Sequence, residues 1–173
     1  MADSNQAIQK TITTEGGYQN MPEDAGNWLN GINYGTKWGI TPHTLAAYFP
    51  GLLTDVNCVR NLTMETAISC YQQGYWKQHY SEINDQTLAE KLFDMGVLFG
   101  VGIAVKLLQI SMTDEIGLVS DGSFGPNTLA AVNQYANLIA SYRHTLLAHC
   151  VNIVTNNPND AQFVQGWINR INS

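Results

Sequence analysis

Glu15 is the side chain whose setting in the sequence best suits acid chemistry. It lies seven residues after Ile8 and three after Ile12, so a helix over this stretch turns all three side chains to one apolar face. Burial on such a face disfavours the charged form of a carboxyl group, which lets it hold a proton and deliver it as a general acid. Gly16 and Gly17 follow directly and leave room for a bulky polymer to approach the backbone.

Asp24 and Thr36 supply the groups that could complement such an acid. Asp24 lies nine residues after Glu15 in a segment without helical periodicity, where contact with water keeps a carboxylate ionised. Hydrolysis of a glycosidic bond uses two carboxyl groups in unlike surroundings, one to protonate the leaving oxygen and one to assist the attacking water. Thr36 offers a hydroxyl that could hold this water. We therefore expect Glu15, Asp24 and Thr36 to be the catalytic residues.

Three aromatic residues accompany these side chains in the sequence. Tyr18, Tyr34 and Trp38 lie among glycines and polar residues, and sugar rings stack on aromatic faces of this kind. We expect all three to contact substrate, although for Trp38 an anchoring role within the protein is equally open. The carboxylates also have ordinary explanations. A Glu at the end of a helix is often solvated, and an Asp before Ala-Gly-Asn often forms a turn.

The elements that must position these residues are mostly helices. Asp3 or Ser4 can cap the first helix, which should stop at the pair Gly16 and Gly17. Pro42 should open a short helix that ends at Tyr48. Residues 18–41 predict loops and a short twisted hairpin. The expected fold class is mostly α, with a small β or irregular element near the N-terminus. Further helices are predicted over residues 55–60, 63–79, 85–99, 103–111, 126–137, 138–156 and 160–171.

The composition argues against several functional classes. With eight Lys and Arg against fourteen Asp and Glu, the formal net charge of -6 argues against nucleic-acid or anionic-membrane partners, which are met by clustered basic residues. Cys58, Cys70 and Cys150 form no C-x-x-C pair, and the histidines show no H-E-x-x-H spacing. We therefore expect buried reduced thiols, no metal site and no cofactor. The hydrophobic content of 45% fits one compact, monomeric body.

The sequence contains no recognisable targeting or membrane segment. Residues 1–10 lack an apolar stretch after a basic start, and the apolar run over residues 95–105 is too short to span a bilayer. We therefore expect a chain that is made in the cytoplasm without a signal peptide and does not insert into a membrane.

Motifs along nearly the whole chain resemble one family. Three segments carry the first part of this resemblance: residues 14–18, which read T-E-G-G-Y, Asp24 with residues 26–28, and residues 35–41. Together they resemble the N-terminal signature of glycoside hydrolase family 108. In that family the Glu of the E-G-G-Y motif is the catalytic residue of an N-acetylmuramidase with a lysozyme-like fold, which implies the same role for Glu15. The remainder resembles the family's companion predicted peptidoglycan domain over residues 75–76, 92–94, 104–109, 121–128 and 163–170.

This resemblance implies a division of the chain and a function. Residues 1–88 are expected to form the lysozyme-like catalytic region and residues 89–173 a helical peptidoglycan-binding region, packed as one body. The implied activity is cleavage of the β-1,4 bond between N-acetylmuramic acid and N-acetylglucosamine in the glycan strands of peptidoglycan, in the periplasm. Members include phage endolysins, which need a holin or another exit route, and hydrolases that release proteins through the wall. Both roles stay open.

Two alternative functions use the same residues. A lytic transglycosylase cuts the same bond with one Glu but closes the sugar on itself, and the presence of Asp24 and Thr36 favours hydrolysis. A non-catalytic wall-binding module has no need of a buried acid. Residues 27–34 look inserted compared with many family members, which bears on the position of Asp24. Such an offset leaves room for a water between the carboxyl groups, so we expect inversion at the anomeric carbon.

Overall fold

The structure, a computed structural model, describes residues 1–112 and 118–173 and is mostly α-helical. It contains two compact units, the N-terminal unit (Ser4–Lys77) and the C-terminal unit (Met1–Asp3 with Gln78–Ser173). The prediction of a mostly α fold with small strand pairs near the N-terminus is confirmed. The division into functional regions at residue 88 stays a prediction. Within the described ranges, no helix is both long and apolar enough to cross a membrane.

The helical frame of the N-terminal unit consists of α1 (Ser4–Glu15), α2 (Pro42–Tyr48) and α3 (Met64–Gly74). Pro42 occupies the first turn of α2, as predicted from the sequence, and the Thr41 side chain accepts a hydrogen bond from a backbone N–H of that turn. Thr63 caps α3 in the same way. Because α1 and α2 both pack on α3, Ile8 and Leu45 are fully buried in a shared core.

Short antiparallel strand pairs follow α1. The strand β1 (Tyr18–Gln19) pairs with β4 (Thr36–Lys37), and β2 (Trp28–Leu29) pairs with β3 (Ile32–Asn33). Asn30 and Gly31 connect β2 to β3 with φ angles of 51° and 78°. Positive φ at both loop positions is what a two-residue hairpin turn of type I′ requires, and Asn-Gly is its preferred sequence. The predicted hairpin is therefore present, and it is formed by the residues that look inserted.

Trp38 and Gly39 form a second turn with positive φ at both positions, 51° and 72°. The flanking residues bond to each other through their backbones, with the Ile40 N–H donating to the Lys37 oxygen at 2.9 Å and the Lys37 N–H donating to the Ile40 oxygen at 3.2 Å. Positive φ costs a residue with a side chain on the order of 1 kcal/mol. Contacts around Trp38 must therefore hold it in this conformation.

The C-terminal unit is built from α4 (Gln86–Phe99), α5 (Val101–Ile110), α6 (Pro126–Gln134), α7 (Leu138–Asn156) and α8 (Val164–Asn172). The helix α4 lies along α5, and α7 packs on α4, α5 and α8. Phe93, Leu108 and Tyr142 are fully buried between them. The Tyr142 hydroxyl donates to the Ala104 carbonyl oxygen at 3.0 Å, so this buried hydroxyl group has a hydrogen-bond partner within the core.

Two predictions for the N-terminal unit are wrong in their details. The helix α3 ends at Gly74, before its predicted end, because the backbone leaves the helical conformation at Tyr75, with a φ of -122°. The Lys77 ammonium group donates to the Gly74 carbonyl oxygen at 2.7 Å and satisfies this end. Residues 55–60 form turns rather than a helix. Here the Asp55 carboxylate accepts the Asn57 N–H at 2.7 Å, a local bond that competes with helical pairing.

Two helices of the C-terminal unit are shorter than predicted. The helix α6 ends at Gln134, before Asn137, whose φ of 56° lies outside the helical region. The helix α8 begins at Val164 rather than at Asp160, because Pro158–Phe163 forms a 3₁₀ segment. The predicted ranges of α4 and α7 agree closely with the structure.

Cys58, Cys70 and Cys150 are free thiols, as predicted. Burial raises the pKa of Cys70 to about 11, and it also raises the pKa of Cys150 above its ordinary value. Cys58 is half-buried, so the expectation of burial is wrong for this one residue.

Two glycines in the strand pairs allow the cost of backbone strain to be measured apart from that of steric overlap. An Ala at Gly31 meets no atom within 4 Å but must keep a φ of 78°, so we expect the free energy of unfolding to fall by about 1 kcal/mol. An Ala at Gly35 also needs a φ of 74° and places its Cβ 2.5 Å from the Gln19 backbone oxygen, so a larger loss is expected. Urea denaturation followed by circular dichroism measures both, and equal losses would contradict the packing of Gly35 against β1.

Candidate active site

Glu15 is the last residue of α1, and it lies on the side of the helix that faces the core. Ile8 and Ile12 on this side are buried, and Glu15 is half-buried with its Oε1 atom shielded from solvent. Gly16 follows with a φ of 77°, the left-handed conformation in which helices commonly end. The structure thus places Glu15 on the face predicted from its spacing to Ile8 and Ile12.

The turn of Trp38 and Gly39 lies directly against the Glu15 carboxyl group. A Cβ atom on Gly39 would lie 3.1 Å from Glu15 Oε2 and would overlap the Tyr71 hydroxyl oxygen. That hydroxyl donates a hydrogen bond of 2.9 Å to the Trp38 carbonyl oxygen. The carboxyl end of α1, this turn and α3 therefore meet at a point where a residue without a side chain is required.

Tyr71 and Tyr75 belong to the surroundings of the acid. Their ring centroids are 5.6 Å apart. The pKa of Tyr75 is raised above its ordinary value by burial first, then by Tyr48 and by the negative charge of Glu15. Their spacing of four residues indicated an apolar helix face. It carried no signal that this face meets Glu15.

Asp24 caps a 3₁₀ turn (Ala25–Asn27) and is exposed to solvent. Its Oδ1 atom accepts the Gly26 N–H at 2.9 Å, and its Oδ2 atom accepts the Gln19 amide at 2.9 Å. The carboxylate is therefore held in one orientation, while each oxygen can accept a further hydrogen bond. Asp24 is therefore solvated, as predicted for a catalytic carboxylate, and it also forms a turn, as expected if its role were only structural.

Thr36 is joined to Asp24 through two amide side chains. The Thr36 hydroxyl donates to Asn27 Oδ1 at 2.7 Å, and Asn27 is fully buried. The amide of Gln19 faces that of Asn27, with Nε2 donating to Asn27 Oδ1 at 3.1 Å and Oε1 accepting from Asn27 Nδ2 at 2.9 Å. Gln19 in turn donates to Asp24. Sequence reasoning missed both amides, because no spacing or motif distinguishes them from the other polar residues of this segment.

The predicted substrate-binding residues Tyr18, Tyr34 and Trp38 already contact other groups of the protein. The Arg60 guanidinium lies 4.7 Å from the ring centroid of Tyr18, and the Tyr18 hydroxyl donates to the Tyr34 carbonyl oxygen at 3.3 Å. The Lys37 ammonium lies 4.3 Å from the ring centroid of Trp38. All three aromatic residues are half-buried, so each keeps surface for a ligand.

The structure brings the six predicted site residues into one unit, around β1 and β4. Asp24 and Thr36 share a hydrogen-bond network, whereas Glu15 contacts the turn that directly follows β4. One carboxyl group is shielded in part and the other is solvated. Unlike surroundings of this kind are the arrangement that divides acid and base roles between two carboxyl groups.

The C-terminal unit contains an open cavity of about 880 Å³ that is lined in part by Gln109, Asp121 and Thr128. The pKa of Asp121 is lowered, first by the hydrogen bond from the Ser123 N–H and then by that from Gln109. The lowered pKa keeps this carboxyl group ionised, which makes it a poor proton donor. In the part of the chain that the structure describes, no group of His, Cys, Asp and Glu suits a metal ion.

Two family models and a solved structure are similar to this chain. Residues 8–100 match the family model Glycosyl hydrolase 108, and residues 103–172 match the model Predicted Peptidoglycan domain. A solved structure, that of SagA from Brucella abortus, is 27% identical to this chain, with a TM-score of 0.72 and coverage of 98% of this chain and 89% of that one. No curated protein sequence matches the chain. Fold and family together show a glycoside hydrolase that acts on peptidoglycan, and the chain belongs to glycosyl hydrolase family 108.

Proposed function

We propose that this protein cleaves the β-1,4 bond between N-acetylmuramic acid and N-acetylglucosamine, with Glu15 as the general acid. The observation that carries the proposal is the position of the Glu15 carboxyl group, which is held between the apolar side of α1 and the backbone of Gly39. A protonated carboxyl group that is fixed beside a glycine turn can be reached by a glycan and can give its proton to the glycosidic oxygen.

In the proposed reaction, water displaces the leaving sugar in a single step. The bond between the anomeric carbon and the glycosidic oxygen breaks while Glu15 delivers its proton to that oxygen. A water held by the Thr36 hydroxyl attacks the anomeric carbon from the opposite face and gives its proton to the Asp24 carboxylate. Asp24 then releases this proton to solvent, and Glu15 takes one up. The exposed, hydrogen-bonded setting of Asp24 supports its role as the base, and the stereochemical result is inversion.

We assign the contacts with the glycan to the half-buried aromatic residues Tyr18, Tyr34 and Trp38. Rings that the protein already anchors lose little conformational entropy when a sugar stacks on them. The C-terminal peptidoglycan domain supports glycan strands as the partner. In this proposal the protein acts as a monomer on the periplasmic wall, which it reaches through a holin or another exit route, in either cell lysis or protein release.

Substitution of the acid tests the proposal directly. Glu15→Gln should abolish turnover while the protein stays folded and binds wall fragments, because the amide keeps the shape of the side chain but has no proton to give. General acid catalysis is worth about a hundred- to ten-thousand-fold. Release of muropeptides from purified sacculi measures the rate, and circular dichroism checks the fold.

The matched control is Glu65→Gln, which changes an exposed carboxylate on α3 of the same unit and should keep the full rate. A Glu15→Gln protein with near-normal turnover would place the proton donor elsewhere.

The products identify the bond and the reaction. Hydrolysis at the proposed bond yields muropeptides with reducing N-acetylmuramic acid ends, which carry one added water and are distinguished by mass spectrometry from anhydro products. Anhydro ends would show a lytic transglycosylase instead. Reducing N-acetylglucosamine ends, or free stem peptides, would show that a different bond is cut.

The hydrogen bond from Tyr71 to the turn gives a third test. Tyr71→Phe leaves the Trp38 carbonyl without this donor, which should lower the free energy of unfolding by about 1–3 kcal/mol and also lower turnover. Tyr142→Phe removes a comparable bond, to the Ala104 oxygen, in the C-terminal unit. It should lower stability in a similar way and leave turnover unchanged. If both variants lost turnover equally at a temperature where both are folded, Tyr71 would have no specific role at the site.

A further inference from the structure

The amide of Gln19 can be oriented in only one way. Its Oε1 atom accepts the Met21 N–H at 2.9 Å, and its Nε2 atom donates to the Asp24 carboxylate at 2.9 Å. A backbone N–H only donates and an ionised carboxylate only accepts, so exchanging the oxygen and nitrogen of this amide would break both hydrogen bonds.

Gln19 and the Met21 carbonyl together determine the orientation of Asn27. The Nδ2 atom of Asn27 donates to Gln19 Oε1 at 2.9 Å and to the Met21 carbonyl oxygen at 3.0 Å. Both of these partners are acceptors, so Oδ1 points the other way, where it accepts from Gln19 Nε2 and from the Thr36 hydroxyl. Asn27 is fully buried, and a rotated amide would leave several polar atoms without partners.

These constraints determine the direction of the Thr36 hydroxyl. A hydroxyl has one proton to donate, and that of Thr36 is directed to Asn27 Oδ1 at 2.7 Å. Toward any further partner, the Thr36 oxygen can therefore only accept. Thr36 is half-buried, so its oxygen can still be reached by a small molecule such as water.

We propose that Asn27 is a positioning residue, which turns the Thr36 hydroxyl proton inward and thereby presents an acceptor lone pair to the attacking water. The inference rests on the function proposed above. A water that donates one O–H bond to Thr36 keeps its own lone pair free to attack the anomeric carbon. A Thr36 hydroxyl that donated to the water would instead occupy one of the two lone pairs of the water and draw electron density from its oxygen, which weakens the nucleophile.

Gln19 also orients the carboxylate of Asp24, the proposed base. Its amide holds Asn27 on one side and Asp24 Oδ2 on the other, so a single network orients the two acceptors that the attacking water uses. The network lies on β1, β4 and the 3₁₀ turn that Asp24 caps, which are all elements of the N-terminal unit.

A double-mutant cycle on the full chain tests whether Asn27 acts through Thr36. Asn27→Ser and Thr36→Val are each expected to lower kcat by about ten- to a hundredfold, with KM changed less than about twofold, since misplacing a reacting group costs rate at this scale. The double variant should be no slower than Thr36→Val alone, because Asn27 has nothing left to orient. Thr36→Ser keeps the hydroxyl and should keep most of kcat.

The matched control is Asn33→Ser. Both ends of the Asn33 amide are likewise hydrogen-bonded, here to the Asn20 oxygen and the Gly35 N–H, but neither of these bonds is to Thr36. Any loss it causes should therefore multiply with that of Thr36→Val. Gln19→Met removes the partner that orients Asn27 while leaving Asn27 in place. It also removes the bond to Asp24, so in the Thr36→Val background its effect on kcat should shrink to the part that acts through Asp24. This keeps the test available if Asn27→Ser unfolds, and an undiminished effect would overturn the positioning role.

The outcomes separate the two proposals. Soluble glycan strands are the substrate, and Glu15→Gln and wild-type protein are assayed in parallel with the cycle. If the wild type turns over and Glu15→Gln does not, but the losses from Asn27→Ser and Thr36→Val multiply, then Asn27 is structural and the positioning role is overturned alone. A wild-type protein without turnover overturns the proposed function and the positioning role together.

Discussion

The contact of the Glu15 carboxyl group with the backbone of Gly39 is the constraint on which the N-terminal unit depends. It brings the end of α1, the turn after β4 and the middle of α3 to one point, and a single Cβ atom at Gly39 would separate them. The hydrogen bond from Tyr71 to the Trp38 carbonyl closes this arrangement. A net contribution of about 1 kcal/mol from such a bond is comparable to the cost of holding Trp38 at positive φ. The hydrogen bond from Tyr71 thus offsets the strain at the turn.

The two carboxyl groups receive their unlike surroundings from two different local structures. Glu15 is enclosed because a helix ends against a turn that has no side chain at Gly39, so its environment comes from packing between elements. Asp24 is solvated and fixed because it caps a short turn and accepts the Gln19 amide, so its environment comes from hydrogen bonds within β1 and the loop after it. Each setting can therefore be changed without rebuilding the other.

The parts of the fold that local chemistry determines could be predicted from the sequence. Thr41 with Pro42 starts α2, Asn30 with Gly31 turns the hairpin, and the spacing from Ile8 to Glu15 sets the inner face of α1. Residues 55–60 were assigned wrongly because the bond of the Asp55 side chain to the backbone outweighs helix propensity.

The rest of the site depends on contacts between distant residues. Tyr71 lies more than thirty positions from the carbonyl it bonds, and no periodicity reports such a pairing. Asn27 looked like a loop residue, yet it is fully buried because Gln19, Met21 and Thr36 satisfy its amide. A buried amide of this kind becomes recognisable only when its partners are known in space.

The burial of two thiols has a consequence for redox chemistry. Because the pKa of Cys70 is about 11, on the order of one thiol in ten thousand is a thiolate at neutral pH, and the thiolate is the form that attacks disulfides and oxidants. Cys150 is protected in the same sense. Cys58 is only half-buried, so of the three thiols it is the one that an oxidant in solution can reach most easily.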